Sequence, residues 1–228
     1  MKKSILITGG SGNLGRACIE KFLADGHRVI ASVSAGKSLG FETSGDLDTF
    51  TADLTNEQNT TQAIEQVLKK NKTIDAALLL VGGFAMGNIA QADGEALKKM
   101  FSVNFETAYY TARPVFQHML TQPTGGKIIF VGSRPPLQAE TGKNMVAYAL
   151  SKSLIFKLAE LLNAEGASKN VKTSVIVPST IDTPQNRRDM PNADFSRWVK
   201  PEEIADAIDI IISEKGKTFQ DVVLKMGS

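Results

Sequence analysis

The chain has 228 residues, 42% of them hydrophobic and 22% charged, with a formal net charge of +2. That is enough for one α/β domain with a sizeable core and scarcely enough for two, and the near-neutral balance carries no pull toward nucleic acid or a membrane surface. One cysteine, Cys18, and two histidines, His27 and His118, exclude a disulfide framework and a metal-ligand cluster. Cys18 falls on the apolar side of a helical pattern, as a small buried hydrophobe would. The apolar run after Lys2-Lys3 is too short for a signal peptide, and no window approaches a membrane span. A cytoplasmic enzyme or binding protein is expected.

Taken in chain order, strands and helices alternate. Strand-like runs occur at 4–8, 28–33, 75–81, 126–132, 171–177 and 220–225, with a weaker one ending at Ala52. Helical periodicity covers about 14–25, 56–70, 93–120, 145–165 and 201–213. This alternation predicts a parallel sheet with helices on both faces. The Gly- and Ser-rich stretch 34–48 reads as a loop. The stretch 178–199 is long, polar and punctuated by prolines, and it follows a strand, on the side where open α/β sheets bind ligands. It is expected to be a substrate-side loop.

The first strand runs directly into Thr8-Gly9-Gly10-Ser11-Gly12-Asn13-Leu14-Gly15, and a helical pattern follows at once. In this strand–turn–helix context glycines let the backbone approach a pyrophosphate, and the new helix turns its free N–H groups toward the negative charge. Further along, Tyr148 and Lys152 are spaced i, i+4 and share one helix face. An ammonium beside a phenol favours the phenolate, so the pair predicts a lowered Tyr148 pKa and proton transfer near neutral pH. The strand before that helix ends in Gly132-Ser133, where a serine could hydrogen-bond a substrate carbonyl. Asn104 sits within the long pattern 93–120, among apolar neighbours; asparagine is a poor mid-helix residue, which marks it for a special role.

Together, Thr8-Gly9-x-x-Gly12-x-x-Gly15, Asp53, Asn104, Ser133, Tyr148-x-x-x-Lys152 and Pro178-x-x-Ile181-x-Thr183 resemble the short-chain dehydrogenase/reductase family over essentially the whole chain. The resemblance implies a single-domain Rossmann fold over 1–228, with a doubly wound parallel seven-stranded sheet and helices on both faces. It assigns Tyr148 as general acid/base, Lys152 to the nicotinamide ribose and to lowering the Tyr148 pKa, Ser133 to positioning substrate, and Asn104 to a proton relay. It also implies cofactor contacts from Thr8, Gly9, Gly10, Ser11, Gly12, Asn13, Leu14, Gly15, Asp53, Leu54, Gly82, Gly83, Tyr148, Lys152, Pro178, Ile181 and Thr183. Members usually pair through two helices, so a homodimer or homotetramer through 93–120 and 145–165 is expected. Phe101, Tyr109, Tyr110, Phe116, Met119, Leu154, Phe156 and Leu161 supply the surplus apolar residues for that pairing.

Two departures stand out. The family's Asn-Asn-Ala-Gly after the fourth strand is replaced by Leu79-Leu80-Val81-Gly82-Gly83-Phe84, and Arg134-Pro135-Pro136 follows Ser133 in a lengthened Ser-to-Tyr interval. The segment Val81–Gly87, together with Asp182-Thr183-Pro184-x-Asn186-Arg187 through Trp198, resembles the dihydropteridine-reductase-like members of the family. By that resemblance Phe84, Met86, Arg134 and Trp198 would line a substrate site for a quinonoid dihydropteridine-like ring. Trp198 reads equally well as an anchor for its loop.

The end of the second strand reads Ala31-Ser32-Val33-Ser34-Ala35-Gly36-Lys37, without the carboxylate that bonds the ribose of NAD. Ser34 and Lys37, with Arg16 near the turn, could hold a 2′-phosphate. NADP(H) is therefore favoured, with NAD(H) left open. Asp53 would meet the adenine, and Asp53 or Thr55 would cap the next helix. The leading reading is an NAD(P)H-dependent reductase with Tyr148 as proton donor. A generic ketone or aldehyde reductase, and an NADP(H)-sensing protein without catalysis, are the alternatives. No metal is expected, and the partner expected besides a second copy is a small-molecule substrate.

Overall fold

A computed structural model describes residues 1–40, 45–219 and 222–227. Seven parallel strands form one sheet: β1 (Ser4–Thr8), β2 (Arg28–Ser32), β3 (Leu47–Phe50), β4 (Ala76–Leu79), β5 (Gly126–Val131), β6 (Val171–Pro178) and β7 (Val223–Met226). Their order is β3-β2-β1-β4-β5-β6-β7. The order reverses between β1 and β4, and there the crevice outside the carboxyl ends of the strands opens. The expected doubly wound sheet is present.

Alternation along each strand builds two cores. Ile5 and Ile7 of β1 face one side, where Cys18, Ile19 and Phe22 of α1 (Asn13–Ala24) pack with Ile204 and Ile208 of a C-terminal helix, Pro201–Ile212. Leu6 faces the other side, with α2 (Glu57–Lys70), α4 (Thr107–Thr121) and α6 (Val146–Gly166) contributing Ile64, Val115, Phe116, Met119 and Ile155. The remaining helices are α3 (Gly94–Phe101), α5 (Ala139–Gly142), α7 (Pro184–Asp189) and α8, the C-terminal helix just named.

Several elements differ from their sequence readings. The pattern 93–120 is not one helix: α3 and α4 are joined by a π-helical turn, Ser102–Glu106, centred on Asn104. Thr107 N–H reaches back to Ser102 O, five residues away, so one extra residue is accommodated at that point. The loop 34–48 ends earlier than expected, because Leu47 and Asp48 pair in β3 with Val29 and Ile30; residues 41–44 lie outside the described residues. Residues 220 and 221 of the expected last strand also lie outside them, and β7 begins at Val223. The segment 178–199 is more ordered than a loop: it holds α7, a 3-10 turn at Phe195–Arg197, and backbone bonds from Val199 N to Thr180 O and from Asp182 N to Val199 O. Helix α2 is capped by Asn56, whose side chain accepts from Asn59 N–H, and not by Asp53 or Thr55. Of the residues named for subunit pairing, Phe116 and Met119 belong to the core, whereas Tyr109 and Leu161 are exposed, as is Leu150.

The turn after β1 is set by contact. Gly9 adopts φ +75°, Gly12 N–H bonds Gly9 O at 2.9 Å, and a Cβ on Gly15 would overlap Gly9 O. Helix α1 can therefore start this close to β1 only with glycine at 15. Gly15→Ala should cost about 1–3 kcal/mol, because backbone and not a movable side chain must yield. Urea unfolding checks this; an unchanged midpoint would contradict it.

Candidate active site

The glycine turn divides its residues into builders and presenters. Thr8 Oγ1 accepts from Leu80 N–H at 3.2 Å and stitches β1 to the chain leaving β4. Gly9 N–H donates to Ser32 Oγ at 3.0 Å and Gly10 N–H to Ser32 O at 2.9 Å. These three therefore shape the turn, with Ser32 as the residue that sequence reasoning missed. Helix α1 starts at an exposed Gly12 with no side-chain cap and no acidic residue in its first turn. Its first N–H groups lack intrahelical partners and suit a bound anion. The turn fits a dinucleotide pyrophosphate on this geometry.

Beside the turn, Ser11 Oγ and Ser34 Oγ lie 3.2 Å apart, and Lys37 N–H bonds Ser34 O at 3.0 Å. Ser34 and Lys37 are exposed. The Arg16 guanidinium lies directly under Gly40, where a Cβ would overlap it, so the chain after β2 folds over this cation. Asp53 is exposed, and its Oδ1 accepts from Thr55 N–H at 3.0 Å and Thr55 Oγ1 at 2.6 Å, which holds its carboxyl below the ordinary carboxylate range. Leu54 is buried behind it.

The second half of the site hangs on Asn104, which is only 1% exposed. Its Oδ1 accepts from Gly83 N–H at 2.9 Å, and its Nδ2 donates to Ser151 Oγ at 3.1 Å. Ser151 Oγ donates onward to Tyr148 O at 2.8 Å. One carboxamide thus joins the segment after β4, the π-helical turn and the face of α6 that carries Tyr148 and Lys152. Ser151 was also missed by sequence reasoning; its one signal is a polar residue three positions after Tyr148 on the same helix. Gly82 leaves little room here, since a Cβ would lie 2.9 Å from Asn104 Oδ1 and 3.2 Å from Lys152 Nζ. The chain continues to Gly87, which exchanges backbone bonds with Asn144 O and Val146 N–H and so fastens this segment over the start of α6.

Lys152 is 5% exposed, and its Nζ donates to Val131 O at 2.8 Å, at the end of β5. Burial lowers its pKa to about 8. Burial also pushes the Tyr148 phenol above its ordinary value, against a smaller downward pull from neighbouring Ser133. The lowered Tyr148 pKa expected from Lys152 is thus not found: desolvation dominates at the phenol, and the ammonium is engaged by a carbonyl. Ser133 Oγ is buried and makes no hydrogen bond of standard geometry, though it neighbours the Tyr148 hydroxyl. The structure therefore brings Ser133, Tyr148, Lys152 and Asn104 together.

The residues expected to touch substrate separate. Phe84 is 60% exposed and its ring meets Tyr148 edge-on, with centroids 5.0 Å apart at 74°. Met86, on the same segment, is 65% exposed. Trp198 is half-buried against Phe195, with centroids 4.7 Å apart, and the Arg187 guanidinium covers that phenylalanine at 4.7 Å. Arg187 is held in turn by two bonds to Asp182, at 2.6 and 2.7 Å. Trp198 thus anchors its own segment. Arg134 is not free for substrate in this arrangement, because its guanidinium bonds the carbonyls of Met226 and Gly227. Pro178 ends β6, Ile181 bridges to Val199, and Thr183 Oγ1 accepts from Asn186 N–H as the cap of α7. Among the described residues no cluster of His, Cys, Asp and Glu could hold a metal, and no helix is long and apolar enough to cross a membrane.

Burial of Lys152 makes a pH prediction. Its pKa is 10.5 in an ordinary setting and about 8 in the fold, so the folded state releases the proton at lower pH than the unfolded chain. The buried charge weakens the fold below about pH 8, and that penalty fades as pH rises through the window from 8 to 10.5. The slope is at most about 1.4 kcal/mol per pH unit. Buried Cys18, whose pKa is raised to about 12, acts oppositely but equally in a Lys152→Met variant. Urea unfolding should show the wild type gaining on Lys152→Met as pH rises; a pH-independent difference would contradict it.

Comparison with known proteins gives the family. The sequence model of the short chain dehydrogenase family matches residues 3–194. A dihydropteridine reductase of Dictyostelium discoideum is 29% identical over 212 residues, spanning 91% of this chain and 87% of its own. A cyclic-di-GMP-binding biofilm dispersal mediator protein of Escherichia coli is 28% identical over 221 residues, spanning 90% of this chain and 87% of its own. The solved structure of ElxO with NADP bound shares the fold, with a TM-score of 0.88 at 20% identity over 99% of this chain and 97% of that one. The chain belongs to the short-chain dehydrogenase family and is an NAD(P)-dependent oxidoreductase.

Proposed function

We propose that the protein reduces a flat quinonoid ring of the dihydropteridine class with NADPH, using Tyr148 as the proton donor. The observation that carries this reading is the buried Ser133 Oγ, which makes no hydrogen bond of standard geometry, beside a phenol that burial keeps protonated. A donor must hold its proton until the substrate arrives, so a raised pKa suits reduction. Lys152, with a pKa of about 8, keeps its charge at neutral pH and favours the phenolate left after transfer. The Asn104–Ser151–Tyr148 chain fixes the phenol's helix so that this transfer occurs at one place.

The N–H groups of Ser11, Asn13 and Leu14 would bind the pyrophosphate, since Gly12 N–H is engaged by Gly9 O. Ser34, Lys37 and Arg16 would bind the 2′-phosphate, and Ala31 through Lys37 contains no carboxylate to repel it. Asp53 and Leu54 would take the adenine, Gly82, Gly83 and Lys152 the nicotinamide ribose, and Pro178, Ile181 and Thr183 the nicotinamide itself. When bound, the reduced nicotinamide supplies the hydride. The likeness to a dihydropteridine reductase and the apolar Phe84 edge beside Tyr148 support a flat ring as substrate. Reduction of simple ketones or aldehydes is the second reading, favoured by the exposure of Phe84 and Met86, which leaves the mouth open to other shapes.

Oxidation of NADPH and NADH with quinonoid dihydropterin generated in situ, beside a panel of simple ketones, tests the proposal. We expect faster pterin than ketone turnover, a preference for NADPH that Lys37→Ala weakens, and a loss of about 10²–10⁴-fold in Tyr148→Phe. Full turnover by Tyr148→Phe would refute the mechanism. Ketone turnover alone would refute the substrate class, and an NADH preference would refute the cofactor assignment.

A further inference from the structure

The loop leaving β5 reaches the end of the chain. Arg134 crosses the end of β6, and its Nη2 donates to Met226 O at 3.1 Å and to Gly227 O at 2.7 Å. Met226 O also accepts from Ser179 N–H at 2.9 Å, so one carbonyl is shared between the end of β6 and the guanidinium. Gly227 adopts φ +78°, and a Cβ there would overlap Ser179 Oγ and lie 2.7 Å from Val199 Cγ2. Only glycine fits this turn without displacement. On its other side the loop is stiffened by Pro135 and Pro136, and Leu137 N–H closes back on Arg134 O at 2.8 Å. Ser133 stands between the β5 strand end and this clamped arginine.

Three of the buried polar atoms without a hydrogen-bond partner fall on these neighbouring strand ends: Ser133 Oγ, Arg134 Nε and Ser179 Oγ. Buried groups left unpaired are uncommon, and each calls for a reason. Arg134 is held through Nη2 and Ser179 through its backbone N–H, while Arg134 Nε and Ser179 Oγ stay unpaired. We propose that Arg134 is a positioning residue, which holds Ser133 against the Tyr148 hydroxyl by clasping the C-terminal turn at Met226 and Gly227. The proposal rests on the reading of Ser133 as the partner of Tyr148. It gives Met226 and Gly227 a task in the active site, although neither is expected to touch substrate.

The test does not need a substrate. Ultraviolet difference titration of each protein against its Tyr148→Phe counterpart isolates the ionisation of that phenol. Ser133→Ala should raise it, because the serine pulls it down. Arg134→Met should raise it in the same direction, Arg134→Lys less so, and Arg134→Met should add nothing in a Ser133→Ala background. Gly227→Ala reaches the same turn from the other side and should act like Arg134→Met, which keeps the test open if one variant fails to fold. On whichever substrate of the panel above is turned over fastest, Arg134→Met should lower kcat by about 10²-fold with KM for NADPH unchanged. If Ser133→Ala leaves the phenol unmoved, the serine is not its partner and both readings fall. If Ser133→Ala moves it while Arg134→Met and Gly227→Ala do not, or if the two effects simply add, the latch alone is overturned.

Discussion

Both ends of the Asn104 carboxamide are engaged, and the rest of the site depends on that. The side chain can face inward because the helix carrying it takes one extra residue as a π-helical turn between α3 and α4. Such a turn is rare and occurs mostly as a single-turn insertion within an α-helix, frequently at functional sites. Here Gly83 N–H, Ser151 Oγ and, through Ser151, the Tyr148 carbonyl are satisfied around one buried amide. Removing the carboxamide would leave Gly83 N–H without this partner at the place where β4 delivers its chain to the crevice. A fully buried donor left unpaired typically costs about 1–3 kcal/mol, and Gly83 is half-buried.

Burial then decides the electrostatics. It opposes charge on both members of the Tyr148–Lys152 pair, raising one pKa and lowering the other. The consequence is asymmetric at neutral pH: the phenol keeps its proton, and the lysine, at about 8, still keeps its charge. Tyr148 and Lys152 stand on one helix, α6, and in the free chain the electrostatics of each is set by desolvation. The ammonium lies against Val131 O, at the end of β5 and two residues before Ser133, so the sheet itself carries the cation.

The sheet was legible because buried parallel strands leave short apolar runs at regular intervals, and helices between them repeat at their own period. Strand β3 was blurred, since Asp48 and Thr49 interrupt its apolar pattern at the edge of the sheet. The π-helical turn could not be read, because one inserted residue barely disturbs a helical pattern. Asn104 was nevertheless flagged, since a poor helix former among apolar neighbours needs a reason. Ser32 and Ser151 were passed over because small polar residues are unremarkable in either a strand or a helix; their importance lies in partners distant in sequence or buried from view. Arg134 was assigned to substrate for the same reason. Its partners, Met226 O and Gly227 O, are backbone atoms that no side-chain pattern announces.

In the proposed reduction a proton leaves a buried phenol. Single-turnover oxidation of NADPH in ordinary and in heavy water measures this step, with the enzyme in excess over quinonoid dihydropterin so that product release does not intervene. We expect a slower rate in heavy water. Equal rates in the two solvents would contradict proton donation by Tyr148.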